Sequence, residues 1–184
     1  AVGKNKLPEN YLRCDNFQNI QYKEKYYSEL TFHYWYWKNL LNKEESDWVG
    51  FSQKRRFWIQ SSSLSCIIDQ SNINEHLLKE PDVDWKNYES IICNPINLTN
   101  VKLSKILKRG LKNLIKDPSI LLKSKKTIKL HFDMHHGYGI LLKAINLLED
   151  PEKTEFQKYV DSNCNFNPHI MFIARPQIAA KWFE

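Results

Sequence analysis

Lys54, Arg55 and Arg56 follow directly on the apolar run Trp48-Val49-Gly50-Phe51, separated from it only by Ser52 and Gln53. Cations at the end of a buried strand are suited to gripping phosphate, because an arginine presents a planar fork that bonds two oxygens at once. The same residues equally compose a solvated turn. Asp82-Val83-Asp84 has the form of a carboxylate pair that holds a divalent metal against a diphosphate. That chemistry needs the pair on a loop leaving a buried strand. Leu78-Lys79-Glu80-Pro81 precedes it instead, so a polar loop is the expected reading. His131, Asp133, His135 and His136 gather imidazoles around one carboxylate. Zinc ligation, a general base, a substrate contact and plain structure all remain open for this cluster. Gly137 and Gly139 behind it would let backbone approach a ligand closely.

The elements that position these groups come from periodicity. Ser28 is a plausible N-cap, with Glu29 in the first turn where the helix dipole favours an anion. Leu30, Tyr34, Trp37 and Leu41 then share one helical face. Phe32, Trp35 and Tyr36 cover the neighbouring faces, so the helix is apolar nearly all round and should be buried on several sides. Residues 48–51 read as a strand, with Phe57-Trp58-Ile59 as a second. A short helix is expected over 72–79, a strand over 88–93, and a basic amphipathic helix over 101–116 with Leu111 and Ile115 inside. Residues 127–132 read as a short strand or the approach to a helix. Helices are expected over 137–148 and 154–160, a strand over 169–173, and a last helix opened by Pro176. Residues 1–25 lack periodicity and read as loop. Strands alternating with helices argue a single α/β domain over residues 1–184.

The totals narrow the partners. The 184 residues carry 27 basic and 21 acidic side chains, a mild excess of +6. That balance fits phosphate in a nucleotide, a nucleic acid or a lipid headgroup, and also an ordinary basic surface. The aromatic rings of the first helix are spread around it, which favours core packing over base stacking, so no nucleic-acid partner is expected. Cys14, Cys66, Cys93 and Cys164 are scattered without a CxxC pair. They read as free thiols in a reducing cytoplasm. No apolar run approaches the roughly 20 residues of a membrane span. The chain opens Ala1-Val2-Gly3 without Met, as an excised part of something longer would.

Two stretches, SELTFHYWYWKN and WVGFSQKRRFW, resemble the signatures ELTxxYWxWKN and GLxHYRRxF of a family associated with bacterial capsular and surface polysaccharide glycosyltransferases, long catalogued as a domain of unknown function. YESIICNP is similar to its YDIILP strand, His135-His136 to its HH pair, and HIMFIARPQIAAKWF to its closing NMFIMKxxxFxxYxxWLF. Leu12-Arg13-Cys14-Asp15-Asn16 resembles its acidic early loop. The chain departs from the pattern at Gln53 and Lys54, where the family has His and Tyr, and at Phe17-Gln18, where it has Thr-Gly-Asp. The family's opening strand has no counterpart.

The resemblance implies a GT-A-like α/β fold, a mixed sheet flanked by helices and lacking the first strand. It implies transfer of a sugar from a nucleotide-sugar donor to a glycan or lipid-linked glycan acceptor, in the cytoplasm or at the inner face of the membrane, with peripheral membrane association. Arg55 and Arg56 would neutralise the donor diphosphate, with Gln53, Lys54, Thr31, Lys38 and Asp15 around them. Asp133 or His135, with Glu29 behind them, would act as general base, and His136 and Tyr138 would meet the acceptor. No metal ligand is assigned, and a divalent Mn²⁺ or Mg²⁺ stays open as a cofactor. The alternative is a non-catalytic carbohydrate- or phosphate-binding module, an inactive relative of such an enzyme.

Overall fold

The computed structural model describes residues 9, 11–45, 47–53, 55–100, 111, 115, 118 and 126–184. The chain divides into two compact units, Ala1–Cys93 with Ile170–Glu184, and Asn94–His169. The basic helix expected over 101–116 lies outside the described residues apart from Leu111 and Ile115. Those two are helical and exposed, where burial was expected.

In the first unit, α1 (Glu24–Tyr27) leads into the aromatic helix α2 (Leu30–Asn39). Ser28 is not the N-cap. It sits at φ 46° between the two helices, and its carbonyl accepts from the Thr31 hydroxyl at 2.7 Å, while Glu29 takes the cap position. The buried residues of α2 are Thr31, His33 and Trp35, rather than the expected stripe of Leu30, Tyr34, Trp37 and Leu41. A helix apolar on every side leaves hydrophobicity without a preferred face, so individual partners choose it. Trp35 turns inward because its indole N–H donates to the Asn16 carbonyl at 2.9 Å. His33 turns inward against Phe51.

The sheet of this unit has three strands, β1 (Val49–Phe51), β2 (Ser90–Ile92) and the later Phe172–Ala174, which is β5. The order is β1-β5-β2, and both pairings are antiparallel. The mixed sheet that the family resemblance implied is therefore not what the described residues form. The C-terminal strand inserts between β1 and β2, which run parallel to each other without touching. Gly50 faces Ile173 across the ladder, and a Cβ there would lie 3.3 Å from the Ile173 side chain. The expected strand over 57–59 reduces to a single bridge between Ile59 and Leu77, and the helix expected over 72–79 to α3 (Ile73–His76). The closing helix, Pro176–Phe183, starts at Pro176 as read from the sequence. Its Gln177 side chain donates to the Lys43 carbonyl at 2.6 Å, and Glu184 pairs with Lys43 at 2.9 Å.

The core of this unit is an aromatic knot. Phe51 packs against His33 (4.3 Å between ring centres), Phe172 (5.2 Å), Tyr36 (5.4 Å) and Phe183 (5.7 Å). Rings at these separations add about 1 kcal/mol per pair beyond the area they bury.

In the second unit β3 (Ile96–Asn97) pairs antiparallel with β4 (Asn165–Phe166), a contact between distant segments that the sequence reading missed. After them come the helices α4 (Ile128–His136), α5 (Ile140–Ile145) and α6 (Glu152–Ser162). In chain order the helix Pro176–Phe183 is α7. Residues 127–132, read as a strand or a helix approach, belong to α4, whose first turn is capped by the Thr127 hydroxyl accepting from Leu130 N–H at 3.3 Å. Leu98, Ile128, Leu141, Ile145 and Val160 form the core, with Phe132 and Phe166 against it.

His33 makes the fold sensitive to acid. It is 4% exposed, its Nδ1 has no hydrogen-bond partner, and burial pushes its pKa down from 6.5 to about 4. Between those values the unfolded chain binds the proton that the folded chain refuses, so stability is lost as pH falls from 6.5 to about 4. The loss approaches about 3 kcal/mol. Urea unfolding from pH 7 to pH 4 should show it, and His33→Phe should flatten that slope; an unchanged slope would remove His33 as its source.

Candidate active site

The cationic turn is a closed excursion from the sheet. Phe51 ends β1, the Gln53 carbonyl accepts from Arg56 N–H at 3.0 Å, and the Trp58 indole N–H returns to the Phe51 carbonyl at 2.9 Å. Both feet of the turn are thus fixed while Arg55 and Arg56 stay exposed. Lys54 lies outside the described residues. Among the described residues neither arginine is ion-paired to a carboxylate, whereas Arg13 is bound to Asp15 and Arg175 lies over the Trp48 ring at 4.1 Å. Because β1 and β2 run the same way, the turn and Cys93 leave the sheet at one end. Burial pushes the Cys93 thiol up and the Arg56 charge pulls it partly back, so the two are neighbours. The sequence reading counted Cys93 only as a scattered thiol; its place just after the YESII strand was the available signal.

The other residues expected around the donor are placed variously. Thr31 is fully buried and bonded to Ser28, so it belongs to the core. Lys38 is exposed with its ammonium 3.2 Å from the centre of the Trp37 ring. Asp15 is held by Arg13, whose hydrogen bond keeps its carboxyl below the ordinary range. Glu29 is half-buried at the start of α2.

Asp133, His135, His136 and Tyr138 belong to the second unit, on α4 and the turn after it. Asp133 is 2% exposed, and both its oxygens are engaged: Lys129 Nζ at 2.8 Å and Gly139 N–H at 2.9 Å. The turn that delivers Gly139 depends on Gly137 and Gly139, at φ 124° and 76°. Burial works against the Lys129 charge, but the Asp133 carboxylate outweighs it and raises the lysine. The His135 ring donates from Nδ1 to the His131 carbonyl at 2.8 Å, which leaves Nε2 as the lone-pair atom. Its ring stacks on His131 at 4.1 Å. His136 is exposed beside Phe132, and Tyr138 is exposed with Lys129 Nζ 5.8 Å from its ring centre. Among the described residues no group of three or more His, Cys, Asp or Glu is arranged to hold a metal ion.

A second feature of the first unit was absent from the sequence reading. A cavity of about 440 Å³ is lined by Gln60, Ser61, Ser62, Leu78, Lys79, Glu80 and Asp82. The D-x-D carboxylate Asp82 accepts from the Ser61 hydroxyl at 2.5 Å and from Asp84 N–H at 3.2 Å. Both bonds hold it below the ordinary carboxylate range, the Ser61 bond most. It caps the tight turn Val83–Asn87.

Asp133→Ala would leave Lys129 half-buried without its anion and the Gly139 N–H without an acceptor. Removing one partner of such a pair costs about 3 kcal/mol. Thermal or urea unfolding should register a loss of that size, and an unchanged melting curve would show that the anchor contributes nothing to the fold.

The fold is similar to part of the apo structure of the WbbM bifunctional glycosyltransferase, with a TM-score of 0.53 at 20% identity over 92% of this chain. The chain spans 28% of the length of that protein, and the likeness is one of fold. No curated protein sequence matches it. The model described as Domain of unknown function (DUF4422) matches residues 1–183, and the chain belongs to that family.

Proposed function

We propose that the chain is a glycosyltransferase domain that moves a sugar from a nucleotide-sugar donor to a glycan acceptor in the synthesis of surface polysaccharide. The observation that carries the reading is the turn Gln53–Arg56. It exposes two arginines, unpaired among the described carboxylates, on a loop fixed at both feet beyond the end of β1. The fold likeness to part of a bifunctional glycosyltransferase agrees with it.

In this mechanism Arg55 and Arg56 bind the donor diphosphate and stabilise the negative charge that grows on the leaving group, an electrostatic contribution fixed before reaction. A general base takes the proton of the acceptor hydroxyl. In the unit that carries the arginines the candidate for that base is Glu29, half-buried at the start of α2; in the second unit both Asp133 oxygens are engaged and the His135 ring bonds the His131 carbonyl through Nδ1. The cavity beside Ser61 and Asp82 offers hydroxyl, amide, ammonium and carboxylate groups of the kind that bind sugar hydroxyls. Any divalent metal would come with the donor phosphates.

Two observations favour the second reading, a sugar- or phosphate-binding module without catalysis. Gln53 stands where the family signature has a histidine, and the buried Asp133 already serves the fold. The two readings part in one experiment. UDP or GDP, with and without Mn²⁺, should raise the melting temperature, and Arg55→Ala with Arg56→Ala should weaken nucleotide binding by about a hundredfold, two charge-assisted contacts being lost. Release of sugar from a nucleotide sugar, abolished in the same variant, supports the enzyme. Nucleotide binding without release supports the module, and unchanged affinity in the double variant would remove the arginines from either.

A further inference from the structure

Among the described residues two that are not glycine sit at positive φ, Phe17 at 51° and Ser28 at 46°, and they bracket one segment. A bulky L residue in the left-handed region is unfavourable and needs its surroundings to hold it there. The surroundings of Phe17 do so. The Asn19 side chain donates to the Phe17 carbonyl at 2.9 Å. Gln18 and Asn39 exchange two bonds, Gln18 N–H to Asn39 Oδ1 at 3.2 Å and Asn39 Nδ2 to the Gln18 carbonyl at 2.9 Å. Asn16 is tied to the Trp35 indole. The outcome of this restraint is a phenyl ring 80% exposed to water. Tyr22 and Tyr26, four residues apart, are 78% and 79% exposed, and Tyr11 and Leu12 more than half exposed. Lys23 and Lys25 are interleaved, their ammonium groups 5.7–5.8 Å from the rings of Tyr22, Tyr27 and Tyr26.

We propose that residues 11–27 form a membrane-docking face, in which Phe17, Tyr22 and Tyr26 enter the interfacial layer of a bilayer while Lys23 and Lys25 meet anionic headgroups. Strain retained to hold an apolar ring outward points to a use for that ring outside the fold. Tyrosine suits the boundary between acyl chain and headgroup, and lysine extends its charge from an apolar surface to phosphate. A glycan stacking on the same tyrosines would have to displace the ammonium groups already beside them, whereas a bilayer uses ring and ammonium together. The proposal does not depend on sugar transfer.

Co-sedimentation with vesicles tests it. The chain should pellet with phosphatidylcholine mixed with phosphatidylglycerol, less at high salt and less with phosphatidylcholine alone. Phe17→Asn combined with Tyr22→Ser and Tyr26→Ser should lower the bound fraction about tenfold or more. Asn tolerates the left-handed conformation, so the Phe17 change relieves strain rather than adding it. Lys23→Glu with Lys25→Glu leaves the rings in place and should abolish the preference for the anionic vesicles. Ile67→Ser, at a side chain 90% exposed elsewhere in the unit, should change nothing. A wild-type chain that stays in the supernatant, or ring and lysine variants that pellet equally well, would overturn the proposal. So would variants that keep vesicle binding and lose binding to a soluble acidic polysaccharide.

Discussion

The first unit depends on keeping one imidazole neutral. His33 lies within an aromatic knot that also holds Phe51, Phe172 and Phe183, three rings drawn from β1, β5 and α7. Each of those elements is short, and a three-residue strand cannot hold its place by ladder bonds alone. Their positions come from the rings. Phe51 packs against His33, Tyr36, Phe172 and Phe183, and it is also the last residue of β1. The packing that stabilises the sheet therefore fixes the point from which the arginine turn departs.

That coupling explains why the turn can be both exposed and definite. A loop of cations in water repels itself and gains little by ordering. Here the order is imposed from the feet, through the Phe51 carbonyl and the Trp58 indole on one level and Gln53 with Arg56 on the next. Among the described residues Arg55 and Arg56 carry their charge outward without pairing to a carboxylate, unlike Arg13. Preorganised charge of this kind is what a polyanionic ligand meets with least reorganisation.

Which parts of this were legible in the sequence follows from what each signal encodes. Pro176 marked the start of the last helix, because proline is tolerated in the first turn and the position follows a buried run. The buried face of α2 was not legible, since Leu30, Phe32, Tyr34, Trp35 and Trp37 satisfy any face, and single hydrogen bonds from Asn16 and contacts with Phe51 settled it. Strand direction was not legible either. Alternation of strand and helix says that elements take turns, yet β5 follows the second unit in sequence and lies antiparallel between β1 and β2. The chemistry divided similarly. The arginines could be read because their charge and their place after an apolar run are both local. The engagement of Asp133 could not, because Gly139 reaches it only through two glycines at positive φ, a geometry that residue types permit and do not announce.

The Lys129–Asp133 pair and the Arg55–Arg56 turn show how cationic side chains come to serve different ends. Lys129 and Asp133 are four apart on one helix, partly and fully buried, and their mutual attraction offsets the cost of removing both from water. Such a pair is set apart from a ligand by burial, Asp133 being 2% exposed to water. Arg55 and Arg56 have the opposite history: they follow a strand rather than a helix, so no residue four positions away returns to neutralise them, and the turn leaves them in solvent. Helical spacing consumes charge internally, and a strand-end turn exports it. In the described parts of this chain the exported charge is cationic, and this is the physical reason to look for its ligand among phosphates.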